Sequence, residues 1–319
     1  PPPDVPLSRG STRRIFTGAA VPDDADTIIR QEDVVRSGDQ IHVLPHARIQ
    51  GTHIRDIASQ TQAGSCVCQK GQYLSAGTIG LLAGLGITTL PVFEKPRCRI
   101  LLTGKELVYP PQSLLPGQIY ESNGMTLTAA LNSMQLQPSS IRQVDDEQPL
   151  LRETIATMLQ QTDVLLITGG VSVGEYDFVA QSLQELGVIT IFHGVRQKPG
   201  KPFYFGVMNK QLIFGLPGNP GSVLTCFYQY VVPALYALSG QPGQGLRKLS
   251  LPLQQSFTKK AGLTHFLKGR LDGNSVRISE QQESYKMNAF AEADLLVRID
   301  EQTTFLHQGD LVDVFLLPV

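Results

Sequence analysis

From residue 97 to 240, short apolar runs alternate with stretches in which apolar positions recur every three or four residues. RCRILLT (97–103), IRQV (141–144) and DVLLIT (163–168) read as strands. The last is apolar throughout, as expected of a strand covered on both faces. SNGMTLTAALNSM (122–134), EQPLLRETIATMLQ (147–160) and YDFVAQSLQEL (176–186) carry the helical period between and after them. Two more strands, FYFGV and QLIFGL, precede Asn219-Pro220, an N-cap followed by proline at the first helical position. The helix that follows gathers Val223, Leu224, Phe227, Val231, Leu235 and Leu238 on one broad face and ends at Gly240. Such alternation predicts right-handed β-α-β units, a mostly parallel sheet covered by helices, and a ligand site beyond the carboxyl ends of the strands.

The flanks read differently. Short extended runs, RRIFT, DTIIRQ and QIHVL, separated by turns such as RSGDQ, predict a small β domain over residues 1–50. Residues 51–96 form a connecting or dimerisation segment. It contains YLSAGTIGLLAGLGI, expected as a buried helix closed by Gly86. After the α/β domain at 97–242, short alternating strands return over 247–319: KLSLPL, THFLKGRL, SVRIS, DLLVRI and DLVDVFLLPV, with a hairpin turn at Asp272-Gly273-Asn274. A small β barrel or sandwich is expected there.

Composition narrows the function. The 41% hydrophobic and 17% charged residues of this 319-residue chain are those of a soluble globular protein. The 27 Lys+Arg against 28 Asp+Glu leave a net charge of -1, so no global field recruits nucleic acid or an anionic membrane. Any anion must be held by local groups. The longest apolar runs are interrupted by Gly, Gln or Pro, against a bilayer span, and the absence of a leader predicts a cytoplasmic protein. The four cysteines, Cys66, Cys68, Cys98 and Cys226, are too few and irregular for a disulfide scaffold and read as ordinary thiols.

Three loops carry candidate chemistry. Thr168-Gly169-Gly170-Val171-Ser172-Val173-Gly174-Glu175-Tyr176-Asp177 follows a buried strand and opens a helix. Its glycines let backbone N–H groups approach a phosphate at a helix N-terminus, with Ser172 as a further donor; a purely structural turn is the alternative. In Gln197-Lys198-Pro199-Gly200-Lys201-Pro202 two lysines on a stiff turn could clamp phosphate or an oxyanion, or could simply be solvated. Leu216-Pro217-Gly218-Asn219-Pro220-Gly221-Ser222 presents another helix N-terminus, to a ligand or as a cap. Glu106, Asp145, Asp146 and Asp177 gather at expected strand ends. Acids facing lysines and phosphate-binding glycines suit Mg²⁺, which takes one or two carboxylates together with waters and phosphate oxygens. Asp145-Asp146 equally suits a helix N-cap. No nucleophile elbow, H-E-x-x-H or P-loop occurs, and of six scattered histidines only His193 adjoins a candidate loop.

Taken in order, RIFTGAAVPDDADTIIRQE, HIR, ILLTGKELVYP, GQIYESN, VDDE, DVLLITGGVSVGEYD, KPGKP and GLPGNPGS resemble the MoeA and gephyrin E-domain family of molybdopterin molybdenumtransferases. The resemblance implies a MogA-like central domain and insertion of molybdenum, from molybdate, into adenylated molybdopterin with Mg²⁺ assistance and release of AMP. By motif match, Gly169, Gly170, Ser172, Gly174 and Asn219 would hold the pterin phosphate or nucleotide. Glu106, Asp145 and Asp177 would serve the metal, and Lys198 and Lys201 would neutralise oxyanion and phosphates. Arg55, in HIR, would reach the site of a partner in a homodimer, and Ser284 in QESYKMNAF would complete it. Contact with the upstream adenylyltransferase is also implied. The chain departs from the family at Lys105, where T-G-D-E-L has an acid, and in ASQTQAG, where Gly-Glu-Asp is expected; the early S-A-M-D-G-Y-A has no counterpart, which reads as a missing N-terminal segment. These departures keep two alternatives open: a binding scaffold that has lost chemistry, and a CinA-like pyrophosphatase.

Overall fold

The computed structural model describes residues 6–171 and 178–318. They form two compact units, one reaching Gln69 and the other beginning at Lys70. In the first, β1 (Val34–Ser37) and β2 (Gln40–Val43) pair antiparallel around Gly38, whose φ of +59° suits the turn that RSGDQ predicts. RRIFT and DTIIRQ do not become strands. Their region makes isolated bonds, Ile28 N–H to Thr52 O at 3.1 Å and Gly51 N–H to Asp26 O at 3.0 Å, with no neighbouring strand to extend them into a ladder.

The second unit opens with α1 (Ala76–Gly84), capped by the Ser75 hydroxyl, which accepts from Thr78 N at 3.2 Å, and closed by Gly86 at φ +75°. The expected buried helix is mostly exposed: only Thr78 and Leu82 are buried, while Ile79 keeps 50% of its surface. Its apolar residues surround the axis instead of forming one stripe, so no single packed face can cover them.

The α/β domain runs β3 (Cys98–Thr103), β4 (Leu107–Val108), β5 (Ile119–Tyr120), α2 (Asn123–Ser133), β6 (Pro138–Val144), α3 (Gln148–Leu159) and β7 (Val164–Thr168). It continues through α4 (Phe178–Glu185), β8 (Ile189–His193), β9 (Gln197–Lys198), β10 (Tyr204–Met208), β11 (Gln211–Leu216), α5 (Pro220–Cys226) and α6 (Val232–Leu238). The sheet order is β6-β3-β7-β11-β10-β8, with β10 antiparallel to both neighbours and the other pairs parallel. The edge strand β8 is absent from the expected set. Period-two alternation divides the core: Ile100, Leu102, Leu166 and Phe214 pack with α2, α5 and α6, whereas Leu101, Leu165, Ile167 and Ile213 pack with α3 and α4.

Between α5 and α6, residues Phe227–Val231 wind as a π-helix. The run Pro220–Leu238 is long and apolar enough to cross a membrane by composition, but Val223, Phe227, Val231 and Leu235 are buried against the sheet, which accounts for that apolarity.

The C-terminal part comprises β12 (Lys248–Pro252), β13 (Phe257–Thr258), β14 (Thr264–Asp272), β15 (Ser275–Ile278), α7 (Asn288–Ala291), β16 (Leu295–Ile299), β17 (Phe305–Leu306) and β18 (Leu311–Leu316). Its main sheet runs β12-β18-β16-β14-β15 over Leu267, Val276, Leu295, Val297 and Val314, and β14 also pairs with β9. Its two edges meet only at a bridge between Leu253 and Val276, supported by Gln254 N–H to Val276 O at 2.9 Å. A barrel needs a continuous ladder there, and the described residues supply none. β12 spends its length on β18 and ends at Pro252, which has no N–H to donate.

Candidate functional site

Parallel strands leave their carboxyl ends on one edge, where successive loops from β6, β3, β7 and β11 lie side by side. After β7, Gly169 and Gly170 turn the chain at φ +83° and +58°. A Cβ on Gly169 would lie 2.7 Å from Thr103 O, and one on Gly170 would meet Val179 at 2.9 Å and Thr103 Oγ1 at 3.2 Å. Both positions therefore require glycine for close approach as well as for backbone conformation. Ser172, Gly174 and Asp177 lie outside the described residues.

Thr103 joins this turn to the acids. Its hydroxyl is shared between Thr168 O, at 3.2 Å, and the Asp146 carboxylate. Asp146 is pushed above the usual carboxylate range, first by partial loss of water and then by the charges of Glu106 and Asp145, against the pull of Thr103 and Lys105. Glu106 bends back over Gly104, whose Cβ would come within 2.7 Å of its carboxylate. Of the Asp145-Asp146 pair, Asp146 is the one turned toward Thr103 and the glycine turn, and sequence reasoning favoured its neighbour. Among the described residues no group of three or more His, Cys, Asp or Glu is arranged to hold a metal. The donors that adjoin the glycine turn, the Glu106 and Asp146 carboxylates, are of the oxygen class that Mg²⁺ takes.

A basic half of the site adjoins β11. The loop 194–203 links β8 to β10 on the same edge, and in it Lys198 and Lys201 are exposed, with no side-chain bond to the described residues. His193 ends β8 and donates from Nε2 to Val171 O at 3.1 Å, bracing the glycine turn. Asn219 occupies the N-cap position, yet its side chain does not cap. It donates to Ser284 Oγ at 3.0 Å, while Ser284 O accepts from Gly221 N at 2.8 Å. The predicted residues Asn219 and Ser284, 65 positions apart, therefore meet across the two domains. Arg55 is exposed on the N-terminal unit.

Two groups escaped sequence reasoning. Lys268 is 1% exposed; it donates to Glu283 O at 3.2 Å and lies 5.6 Å from the Phe290 ring centre, and burial lowers its pKa. A lysine inside the apolar run HFLKG was the available signal. Asn123 opens α2, donates to Gly218 O at 2.8 Å, and keeps a buried Oδ1 without a partner. Its signal was GQIYESN, whose asparagine has no apolar reason to be buried.

With the geometry in hand, three regions match known families: residues 1–86 the MoeA N-terminal region (domain I and II), 99–237 a probable molybdopterin binding domain, and 250–317 the MoeA C-terminal region (domain IV). The molybdopterin molybdenumtransferase of Haemophilus influenzae is 30% identical over 95% of this chain and 76% of its own length. That of a Nostoc species is 35% identical over 75% of this chain but 55% of its own length. A solved structure of the molybdopterin biosynthesis MoeA protein of Pyrococcus horikoshii, 31% identical, superposes with a TM-score of 0.77 over 93% of this chain and 73% of that one. Both expectations about the central sheet and the flanking β parts agree with that neighbour, and on all three regions together the chain belongs to the MoeA family of molybdopterin molybdenumtransferases.

Proposed function

We propose that this chain inserts molybdenum from molybdate into adenylated molybdopterin, releasing AMP. The observation that carries this reading is the division of the carboxyl edge into an acidic half at Glu106 and Asp146 and a basic half at Lys198 and Lys201, with a glycine turn between. Gly169, Gly170, Ser172 and Gly174 would hold the pterin phosphate or the nucleotide, assisted by Asn219 and Ser284. Glu106, Asp177 and, in place of Asp145, Asp146 would hold Mg²⁺, which when bound offsets phosphate charge and polarises the reacting oxygens. Lys198 and Lys201 would neutralise the oxyanion and the charge that builds on departing AMP. Arg55 would act from a second subunit of a homodimer, which the exposed apolar residues of α1 also suit. Cytoplasmic location, contact with the upstream adenylyltransferase and a division at 1–50, 51–96, 97–242 and 247–319 complete the proposal.

Lys105 beside Glu106 favours one second reading, a scaffold that binds the pterin nucleotide without turning it over. A CinA-like pyrophosphatase is not favoured, because MoeA regions match on both sides of the central domain. The test is incubation of the full chain with adenylated molybdopterin, molybdate and Mg²⁺. AMP release with molybdenum retained supports insertion. Binding without AMP supports the scaffold, and neither result sinks both.

A further inference from the structure

Lys198 and Lys201 make no side-chain bonds to the described residues, and among these it is the backbone between them that sets where their ammonium groups lie. Several bonds anchor the flanks. Val195 N donates to Lys201 O at 2.9 Å, and β9 pairs with β14, setting Gln197 against Thr264 and Lys198 against His265. The centre of the loop is held by two buried side chains, Cys226, whose thiol donates to Gly200 O at 3.8 Å, and Gln197. Gln197 is 2% exposed; its Nε2 donates to Pro199 O at 2.9 Å and lies 3.6 Å from Cys226 Sγ. Its Oε1 accepts from the Tyr230 hydroxyl. Tyr230 lies in the π-helical turn and stacks on Phe203 with centroids 4.6 Å apart, and burial raises its pKa to about 12, so it stays a donor. Gly200 lies against the same group of side chains, for a Cβ there would fall 2.5 Å from Cys226 Sγ and 2.9 Å from Gln197 Nε2.

A buried amide with both ends engaged, one on the loop and the other on the core helix, transmits the helix position to the loop. The structure assigns Gln197 and Tyr230 the role of positioning residues that hold the lysine loop in its anion-binding conformation. The assignment rests on Lys198 and Lys201 being the oxyanion clamp. Tyr230→Phe leaves Gln197 Oε1 buried and unpaired, and Gln197→Leu removes both side-chain bonds of that residue at once, leaving the backbone anchors in place.

The test is calorimetric titration of the full chain with molybdate, run beside the AMP assay so that binding is read without turnover. Tyr230→Phe should weaken molybdate binding about tenfold, and Gln197→Leu at least as much, with cooperative unfolding retained. In a Lys198→Ala background the same substitutions should lose a large part of their effect, because they act through that lysine as well as through Lys201. A merely structural effect would persist undiminished in that background. The assignment is overturned if Tyr230→Phe binds molybdate as the wild type does, if its effect is undiminished in Lys198→Ala, or if the wild type binds no molybdate. Intact molybdate binding without AMP release would instead count against the insertase reading alone.

Discussion

Gly169→Ala tests whether the first glycine of the turn is required by its neighbours as well as by its conformation. At φ +83° an alanine costs about 1–2 kcal/mol in the left-handed region. Its Cβ would sit 2.7 Å from Thr103 O and 2.8 Å from Thr103 Oγ1, an overlap worth about 1–3 kcal/mol. The two effects together come to about 2–5 kcal/mol. Thr103 ends β3, which is paired on both sides by β6 and β7 and flanked by the fully buried Leu102, so it is the turn that must yield. Its shift carries Gly170 and the adjoining N–H groups away from the phosphate position, and displacement by about 1 Å costs roughly a hundredfold in rate. Gly86→Ala is the control: its φ is +75°, and nothing lies within 4 Å of the added Cβ, so only the conformational cost applies. Urea unfolding gives the stabilities and AMP release the rates. The reasoning fails if Gly169→Ala loses no more stability than the control and releases AMP within twofold of wild type.

Asp146 carries a pH prediction. Its folded pKa is raised, so its contribution to stability is complete below the unfolded value, near ~3.9, and is lost as pH rises through the folded one. Asp146→Asn should therefore gain stability relative to wild type from about pH 4 upward, and urea midpoints that stay parallel from acid to neutral pH would contradict this. Phe227, fully buried between helix and sheet, should cost about 3–5 kcal/mol as Phe227→Ala, and a loss under 1 kcal/mol by denaturant titration would show that this part of the core collapses into the gap.

The centre of the sheet was legible because its inner strands β3, β7 and β11 are buried on both faces, whereas the edge strand β8, largely exposed, carries no such run and was missed. The flanks were less so. RRIFT and DTIIRQ have strand-like composition, but a strand exists only where another supplies its bonds, and that partner is not encoded locally. The helix α1 has the apolar content of a core element without the one-sided distribution that burial requires. At the site, single loops were readable as glycine turns, lysine turns and acids at strand ends. Their mutual choices were not: Asp146 over Asp145, Asn219 reaching Ser284 instead of capping its own helix, and Lys268 buried beneath the Glu283 carbonyl all depend on which distant segment folds alongside.

The π-turn at Phe227–Val231 alters what a change in length would mean there. Each residue of an α-helix advances about 100°, and the wider π-turn absorbs one residue. Deleting one there lets the helix close as α with its later residues still inward, whereas closing it as α at full length would rotate everything beyond it by about that angle. Val232 and Leu235, now facing the sheet, would swing toward the flank, while Val223 and Cys226 would stay where they are. The extra residue is what lets two helical segments of different phase present their apolar sides to the same sheet. Relatives that lack it can be expected to carry their inward residues in a shifted register beyond this point, with the fold unchanged.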